Sequence, residues 1–323
     1  MNEKFLIVDG NSIINRAFYA IKGPRMLTRS DGTPTNAVYG FLNIFLKYLE
    51  EEKPDFIAVA FDLKSKTFRN EIYDSYKANR KGMPDELALQ LPMVKQVLEA
   101  MNISIIEKEG LEADDLIGIY SKKAEEEGIR VSVLTGDRDA LQLVSDLVTV
   151  IIPSTSKGLT STVRYTPDEV IDKYGVEPKK MIDVKALMGD SSDNIPGVKG
   201  VGEKTAISLI KEFGSLDGVY EGLSTITKPT LKKNLEEGRE MAYLSRILGT
   251  IVRDKEGTED VSEFKVKEIN KEKLFELFKS LEFNSFIKKF GLDEQCEPSV
   301  QLTEIKYETI EDAENLEQIL KQL

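Results

Sequence analysis

Apolar residues come in two rhythms along this chain. Short, nearly uninterrupted runs at Lys4–Asp9 (KFLIVD), Asp55–Asp62 (DFIAVAFD), Ile103–Ile106, Arg130–Asp137 (RVSVLTGD) and Leu147–Ile152 have the length and composition of strands buried on both faces. Between them, Asn36–Glu52, Pro84–Met101 and Glu112–Glu127 repeat apolar residues at helical spacing. Gly10-Asn11-Ser12 reads as a turn and helix cap, and Pro92 as a kink or break in its helix. Strands alternating with helices predict right-handed βαβ units and an α/β fold around a central, mostly parallel sheet. From Thr166-Pro167, a capped start with proline in the first position, helices dominate to about Phe290. Gly291–Gln301 then reads as a linker, Gln301–Ile310 as a strand and Asp312–Leu323 as a helix. One strand and one helix cannot make a core, so this tail is expected to open a further domain.

Composition narrows the chemistry. The chain has 323 residues, 41% hydrophobic and 31% charged, enough to bury a core and unlike a disordered chain. Its longest apolar run, Phe56–Phe61, is far too short to span a bilayer, and Asp9 interrupts the candidate signal-peptide core at Phe5–Val8. No internal disulfide can form from the one cysteine, Cys296, which fits a reducing cytoplasm. There is no histidine, which excludes imidazole acid–base catalysis, Ser-His-Asp chemistry and histidine zinc sites. Any metal must then be held by carboxylates, which favour hard ions such as Mg2+ or Mn2+. A net charge of −12 argues against a polyanionic partner until nine candidate metal-ligating acids are set aside, which leaves −3.

Those nine are Asp9, Asp62, Glu112, Asp114, Asp115, Asp137, Asp139, Asp190 and Asp193. Asp9, Asp62 and Asp137 each close an apolar strand, and ligands of parallel sheets bind beyond the carboxyl ends of the strands. Glu112, Asp114 and Asp115 crowd the first turn of a helix, where unpaired carboxylates repel one another. The bland alternatives are turn-starting aspartates and an acidic first turn complementing the helix dipole. Agreement among three strand ends and one helix start favours a shared cation site. Two divalent ions about 3.5–4 Å apart are what phosphodiester hydrolysis uses, one acidifying water and one stabilising the leaving oxygen. A glycosidase pair would leave seven of these acids unexplained.

Two basic elements accompany the acids. Lys64–Lys81 (KSKTFRNEIYDSYKANRK) carries six basic residues against Glu71 and Asp74, interleaved with Phe68, Tyr73 and Tyr76. Cations track phosphates and aromatic faces stack bases, although a solvated loop packed on the body would look similar. Ile195–Lys211 (IPGVKGVGEKTAISLIK) reads as a glycine-rich hairpin before a helix opening at about Glu203, a form that grips a nucleic-acid backbone without reading sequence.

Taken with Val8-Asp9-Gly10-Asn11, Ala60-Phe61-Asp62, Tyr76–Arg80 (YKANR), Glu112–Asp115 (EADD), Thr135–Asp139 (TGDRD) and Lys185–Gly197 (KALMGDSSDNIPG), this order of motifs resembles the 5′-nuclease (flap endonuclease) superfamily. The likeness is strongest to the 5′→3′ exonuclease domain that opens bacterial DNA polymerases I, and it covers about residues 1–290. It implies a PIN-like nuclease core at 1–165 with a helical arch at about 64–92. It further implies a helical DNA-binding region at 166–290 with a helix-hairpin-helix at about 185–213, and a truncated 3′→5′ exonuclease-like domain beginning in 291–323. Asp9, Asp62, Glu112, Asp114 and Asp115 would hold the ion that activates water, and Asp137, Asp139, Asp190 and Asp193 the ion on the leaving-group side. Catalysis would centre on Lys77, Arg80, Asp114 and Asp137. DNA contacts would come from Arg69, Tyr76 (stacked on a base), Lys77, Arg80, Lys81 and Lys185, and from Gly197, Lys199, Gly200, Gly202 and Lys204. The implied cofactors are two or more Mg2+ ions, replaceable by Mn2+, with K+ at the hairpin. The implied substrates are 5′ flaps, nicks and RNA primers near single-strand/duplex junctions. The resemblance also implies a cytoplasmic, nucleoid-associated monomer fused to exonuclease-like and polymerase domains.

Three other readings compete. A PIN-type ribonuclease lacks a reason for the hairpin and the long basic segment. A non-catalytic junction clamp would be expected to have lost metal ligands. A phosphatase using Asp137 and Asp139 leaves seven carboxylates unused.

Overall fold

A computed structural model describes residues 3–21, 26–156, 159–255 and 259–293. The tail strand and helix expected after residue 301, with Cys296, lie outside the described residues. Six strands form one sheet: β1 (Lys4–Asp9), β2 (Phe56–Ala60), β3 (Ser104–Ile106), β4 (Arg130–Leu134), β5 (Val148–Ser156) and β6 (Leu159–Tyr165). Their order is β3-β2-β1-β4-β5-β6, with the first five parallel and β6 antiparallel to β5.

Alternate residues of the apolar runs serve opposite faces, as the period of a strand requires. Leu6, Val8, Ile57 and Val59 pack beneath α1 (Gly10–Ala20), α2 (Asn36–Glu52) and the helix that follows the short α3 (Phe68–Ile72), α4 (Asp85–Ala100). Phe5, Ile7, Ala58 and Val133 pack beneath α5 (Ala113–Glu126). The same cluster extends through α6 (Pro167–Tyr174) and α7 (Met181–Met188) into α8 (Glu203–Phe213), so the helical region shares its core with one face of the sheet. Beyond these lie α9 (Leu216–Glu221), α10 (Pro229–Glu237) and α11 (Arg239–Gly249). The chain then returns to the opposite face, where α12 (Lys271–Ser280) and α13 (Asn284–Lys289) bury Phe278 and Phe286 near α2.

The structure departs from the pattern expected of the sequence in four places. Residues 10–12 form no loop, because α1 begins at Gly10 directly after β1. A side chain at Gly10 would place its Cβ 2.4 Å from the Phe61 ring, so the tight strand-to-helix passage needs glycine there. Pro92 does not break α4, which continues through it. Strand β6 was not anticipated, since its mostly polar LTSTVRY run at the sheet edge lacks an apolar signature. Finally, of residues 64–92 only α3 and the first half of α4 are helical, and the stretch that carries Lys77 is a run of turns at 74–79.

Candidate active site

The chain runs β1, β2, β3 to one side of β1 and then β4, β5 to the other, so the order reverses between β1 and β4. At such a switch point the following connections splay apart and leave a crevice at the carboxyl ends of the strands. Registers Asp9↔Ala60 and Val8↔Leu134 bring the ends of β1, β2 and β4 to that edge. A cavity of about 220 Å3 opens there, lined by Asp9, Asp62, Glu112, Asp114 and Asp137 together with Lys77, Arg80, Asn11, Ser12 and Asn15. Five of the nine expected ligands therefore converge.

Each acid is fixed by its neighbours. Asp9 caps α1, accepting from the Ser12 backbone N–H at 2.9 Å and from the Thr135 hydroxyl at 2.7 Å. Asp62 accepts from the Ala113 N–H at 2.7 Å and the Asn11 amide at 3.0 Å, and its own N–H donates back to Asn11 Oδ1 at 3.2 Å. Asp137 accepts from the Asp139 N–H at 2.9 Å. Glu112 faces the Lys77 ammonium at 2.8 Å and accepts from the Tyr76 hydroxyl at 3.1 Å. Asn11, Ser12, Asn15 and Thr135 carry no charge, so the sequence does not mark them out as candidate ligands. The Asp-Gly-Asn-Ser run after β1 was the available signal for the first two.

Concentrated negative charge marks the cavity electrostatically. Burial pushes the Asp9 carboxyl up to about 6, with the Asp62 and Asp137 charges adding to the effect against the Ser12 and Thr135 hydrogen bonds. Asp114 is raised well above the ordinary carboxylate range by burial and then by the charges of Asp9 and Asp137. These groups cannot all ionise cheaply without a compensating cation.

A second acid group stands beside the first. Asp190 and Ile195 pair through backbone bonds of 2.9 and 2.8 Å, closing a tight loop that presents Asp190 and Asp193 toward Asp139. Each of the three acids can place one oxygen within 4.8 Å of the other two, a spacing that could hold a metal ion. Lys185 is buried between Asp139 and Asp190, reaching the latter at 2.8 Å, and Arg80 Nε donates to Asp193 at 2.9 Å. Burial raises Asp139 to about 6, with Asp137 adding and Lys185 opposing. Burial also acts to raise Asp190, but hydrogen bonds from Lys185 and Ser192 overcome it and hold that carboxyl down to about 2.

Five expected roles do not fit this geometry. Asp115 is fully buried and turned from the cavity, with both oxygens bound by Arg69 at 2.7 Å, so it is not placed to ligate a metal there. Arg69, 2% exposed, is unavailable to DNA for the same reason. Tyr76, 5% exposed, packs with Ile195 and Leu248, leaving no open ring face for a base. Lys185 is spent on two carboxylates rather than on DNA. Gly197 is buried and its N–H donates to Ser245 Oγ at 2.9 Å, so it serves packing rather than phosphate contact. Lys81, Lys199, Gly200, Gly202 and Lys204 are exposed, the last four around the start of α8.

A mostly parallel sheet carrying clustered carboxylates at its switch point, faced by cations on a neighbouring turn, defines the class of α/β nucleases with an acidic, metal-binding site. Two family models match in succession: the 5′-3′ exonuclease N-terminal resolvase-like domain over residues 4–175 and the 5′-3′ exonuclease C-terminal SAM fold over 176–272. The chain belongs to the 5′-3′ exonuclease family. A DNA polymerase I of Caldicellulosiruptor bescii is 48% identical over 98% of this chain and 37% of its own length, so the chain spans little more than a third of that relative. The fold matches T5 5′-exonuclease, solved with divalent metal ions (zinc) bound, with a TM-score of 0.62 at 23% identity, covering 76% of this chain and 89% of that one. It also matches the catalytic core of Rad2, solved with a DNA substrate, with a TM-score of 0.60 at 16% identity, covering 90% and 93% respectively.

Proposed function

We propose that this chain is a structure-specific, Mg2+-dependent 5′ nuclease that hydrolyses phosphodiesters at single-strand/duplex junctions of 5′ flaps, nicks and RNA primers. The observation that carries the reading is the meeting of Asp9, Asp62, Glu112, Asp114 and Asp137 with Lys77 and Arg80 around one cavity. The donor set fits hard divalent cations, because it is all carboxylate and its members push up one another's proton affinity. The five cavity acids would hold one ion, and Asp139, Asp190 and Asp193 a second. When bound, such ions acidify water and stabilise charge on the attacking and leaving oxygens.

The chain's own side chains supply the rest. Lys77 and Arg80 aim positive charge at the acids from the opposite wall, so a phosphate admitted between them finds its non-bridging oxygens paired and its developing charge stabilised. Asn11 and Thr135 hold Asp62 and Asp9 in fixed orientation, limiting reorganisation as the phosphate reacts. Water oxygen bonds to phosphorus as the bond to the leaving 3′ oxygen breaks, which leaves a 5′ phosphate and a 3′ hydroxyl. The exposed Lys199 and Lys204, with Gly200 and Gly202 at the α8 N-terminus, suit contact with duplex backbone, and K+ there is part of this proposal. The reading extends to a nuclease core at 1–165 and a DNA-binding region at 166–290. It further extends to a cytoplasmic monomer fused to 3′→5′ exonuclease-like and polymerase domains, serving primer removal, Okazaki fragment processing and repair. Among the described residues, no helix is long and apolar enough to cross a membrane.

Product analysis on a 5′-labelled flap duplex tests the proposal. Cleavage near the junction with Mg2+, abolished by chelator and restored by Mn2+, is the expected result. Preferential cutting of single-stranded RNA would favour the ribonuclease reading instead.

A further inference from the structure

Arg69 is a buried cation, absent from the cavity lining, whose guanidinium is bound on every nitrogen. Its Nε donates to the Leu248 carbonyl at 2.8 Å, and Nη1 and Nη2 each meet an oxygen of Asp115 at 2.7 Å. Nη2 also donates to the Thr250 carbonyl at 2.8 Å, and Nη1 stands 3.5 Å from Glu112 Oε2. Asp115 in turn accepts from the backbone N–H of Glu112 at 3.1 Å and of Val252 at 2.9 Å. Three separated segments are thus joined at one buried fork: α3 through Arg69, the start of α5 through Glu112 and Asp115, and the end of α11 with the strap that follows it through residues 248–252.

The fork leads to the reacting groups in two directions. Toward the acids, it holds the Glu112 backbone and faces the Glu112 carboxylate. Toward the bases, the Arg69 carbonyl accepts from Tyr73 N–H at 2.9 Å, and the Tyr73 carbonyl accepts from Tyr76 N–H at 2.9 Å. Tyr76 reaches Glu112, and the next residue is Lys77, whose backbone sits at φ 56° and donates to the Asp193 carbonyl at 2.9 Å. That left-handed conformation is uncommon for a lysine and persists where surrounding contacts enforce it.

We propose that Arg69 and Asp115 act as a positioning pair for cleavage, touching neither metal nor DNA but fixing the Glu112 carboxylate against the Lys77 ammonium. The proposal rests on the nuclease reading above. A planar, five-donor guanidinium is what this node needs, since it takes four donor bonds, two of them side by side on one carboxylate, and a lysine ammonium has three donors on a single atom.

Three variants test it: Arg69→Lys, Asp115→Asn and the two combined, assayed by single-turnover cleavage of a 5′-flap duplex across a Mg2+ titration, with flap affinity measured separately in Ca2+. Each single variant should lower the cleavage rate by roughly 10–100-fold and raise the Mg2+ requirement, with flap affinity held within about threefold. The double variant should be no worse than the poorer single, as expected of residues that act as one unit. Were Asp115→Asn to raise the Mg2+ requirement while Arg69→Lys left it unchanged, Asp115 would be a ligand and the proposal would fail. It would fail equally if Arg69→Lys lost flap affinity in step with cleavage. A measurement on the unaltered protein covers variants that do not fold: the Arg69 guanidinium NMR signals during titration with Mg2+ alone should keep their positions and slow exchange. Their collapse on adding Mg2+, as Asp115 left for the ion, would overturn the pairing. Absence of any flap cleavage by the unaltered protein would instead overturn the nuclease reading, while the Mg2+ titration would still report on the pair.

Discussion

Lys77 Nζ lies 2.8 Å from Glu112 Oε1, so the first cation of the basic turn and the acid that caps α5 meet directly across the cavity. The contact is not a surface ion pair of little consequence, because Lys77 is about one-fifth exposed and Glu112 less. Four further bonds pin the same turn to the Asp190–Ile195 loop. Lys77 N–H and Arg80 bind Asp193, Asn79 binds the Ser191 carbonyl at 2.6 Å, and Asn194 binds the Ser75 carbonyl at 2.7 Å. One turn therefore touches both acid groups.

Lys77→Ala should slow single-turnover cleavage of a 5′ flap by about 100-fold or more, the usual cost of removing one electrostatic donor. Flap affinity, measured by fluorescence anisotropy, should change by only a few fold. A variant weakened in affinity alone would make Lys77 a substrate-positioning residue instead.

Asp137→Ala should abolish cleavage and leave DNA binding close to that of the unaltered chain, since the side chain lines the acidic cavity away from the exposed lysines of α8. Gel-shift and cleavage assays on the same flap duplex check both halves. Retained cleavage would remove Asp137 from the mechanism.

Stability should depend on pH in a definite sense. Asp9 and Asp139 are both raised to about 6 against an ordinary 3.8. Between those values the native state holds more protons than the unfolded chain, so the metal-free protein should lose stability as pH rises from about 4 to 6 and level off above. Asp190, lowered to about 2, acts only at the acid end, where its stabilisation is lost as pH falls from about 4 to 2. With Mg2+ held by the native carboxylates as proposed, thermal melts should show a larger Mg2+-induced rise in Tm at pH 8 than at pH 5. Equal rises at both values would dissociate these acids from the ion.

Two hairpin glycines should behave differently. At Gly197, with φ +62°, a Cβ would lie 2.3 Å from the Gly189 nitrogen, so Gly197→Ala should lower Tm by roughly 5 °C or more. Nothing lies within 4 Å of a Cβ at Gly202, so Gly202→Ala should fold normally, and a change in duplex affinity there would report on the backbone contact. Differential scanning fluorimetry and anisotropy separate the outcomes.

Much of this was written in the residue order. Buried runs that end in aspartate could hardly avoid becoming central strands with acids at one edge, because parallel strands deliver their carboxyl ends together. The spacing of Gly200, Gly202 and Glu203 likewise announced the start of α8. Asp114 and Asp115 mark where that legibility stops. They are adjacent, identical in chemistry, and separated by about 100° around α5. One lines the cavity and the other lies beneath Arg69. Which of two neighbouring carboxylates meets a cation from the chain is decided by what packs on each side of the helix. Arg69 and Tyr76 read as nucleic-acid contacts for the same reason, being basic and aromatic in a basic stretch, until residues 248–252 covered the one and Ile195 and Leu248 the other. Residue identity fixed the charges and the strand ends. Burial, a property of segments brought together from more than a hundred positions away, settled which charges remain free to act.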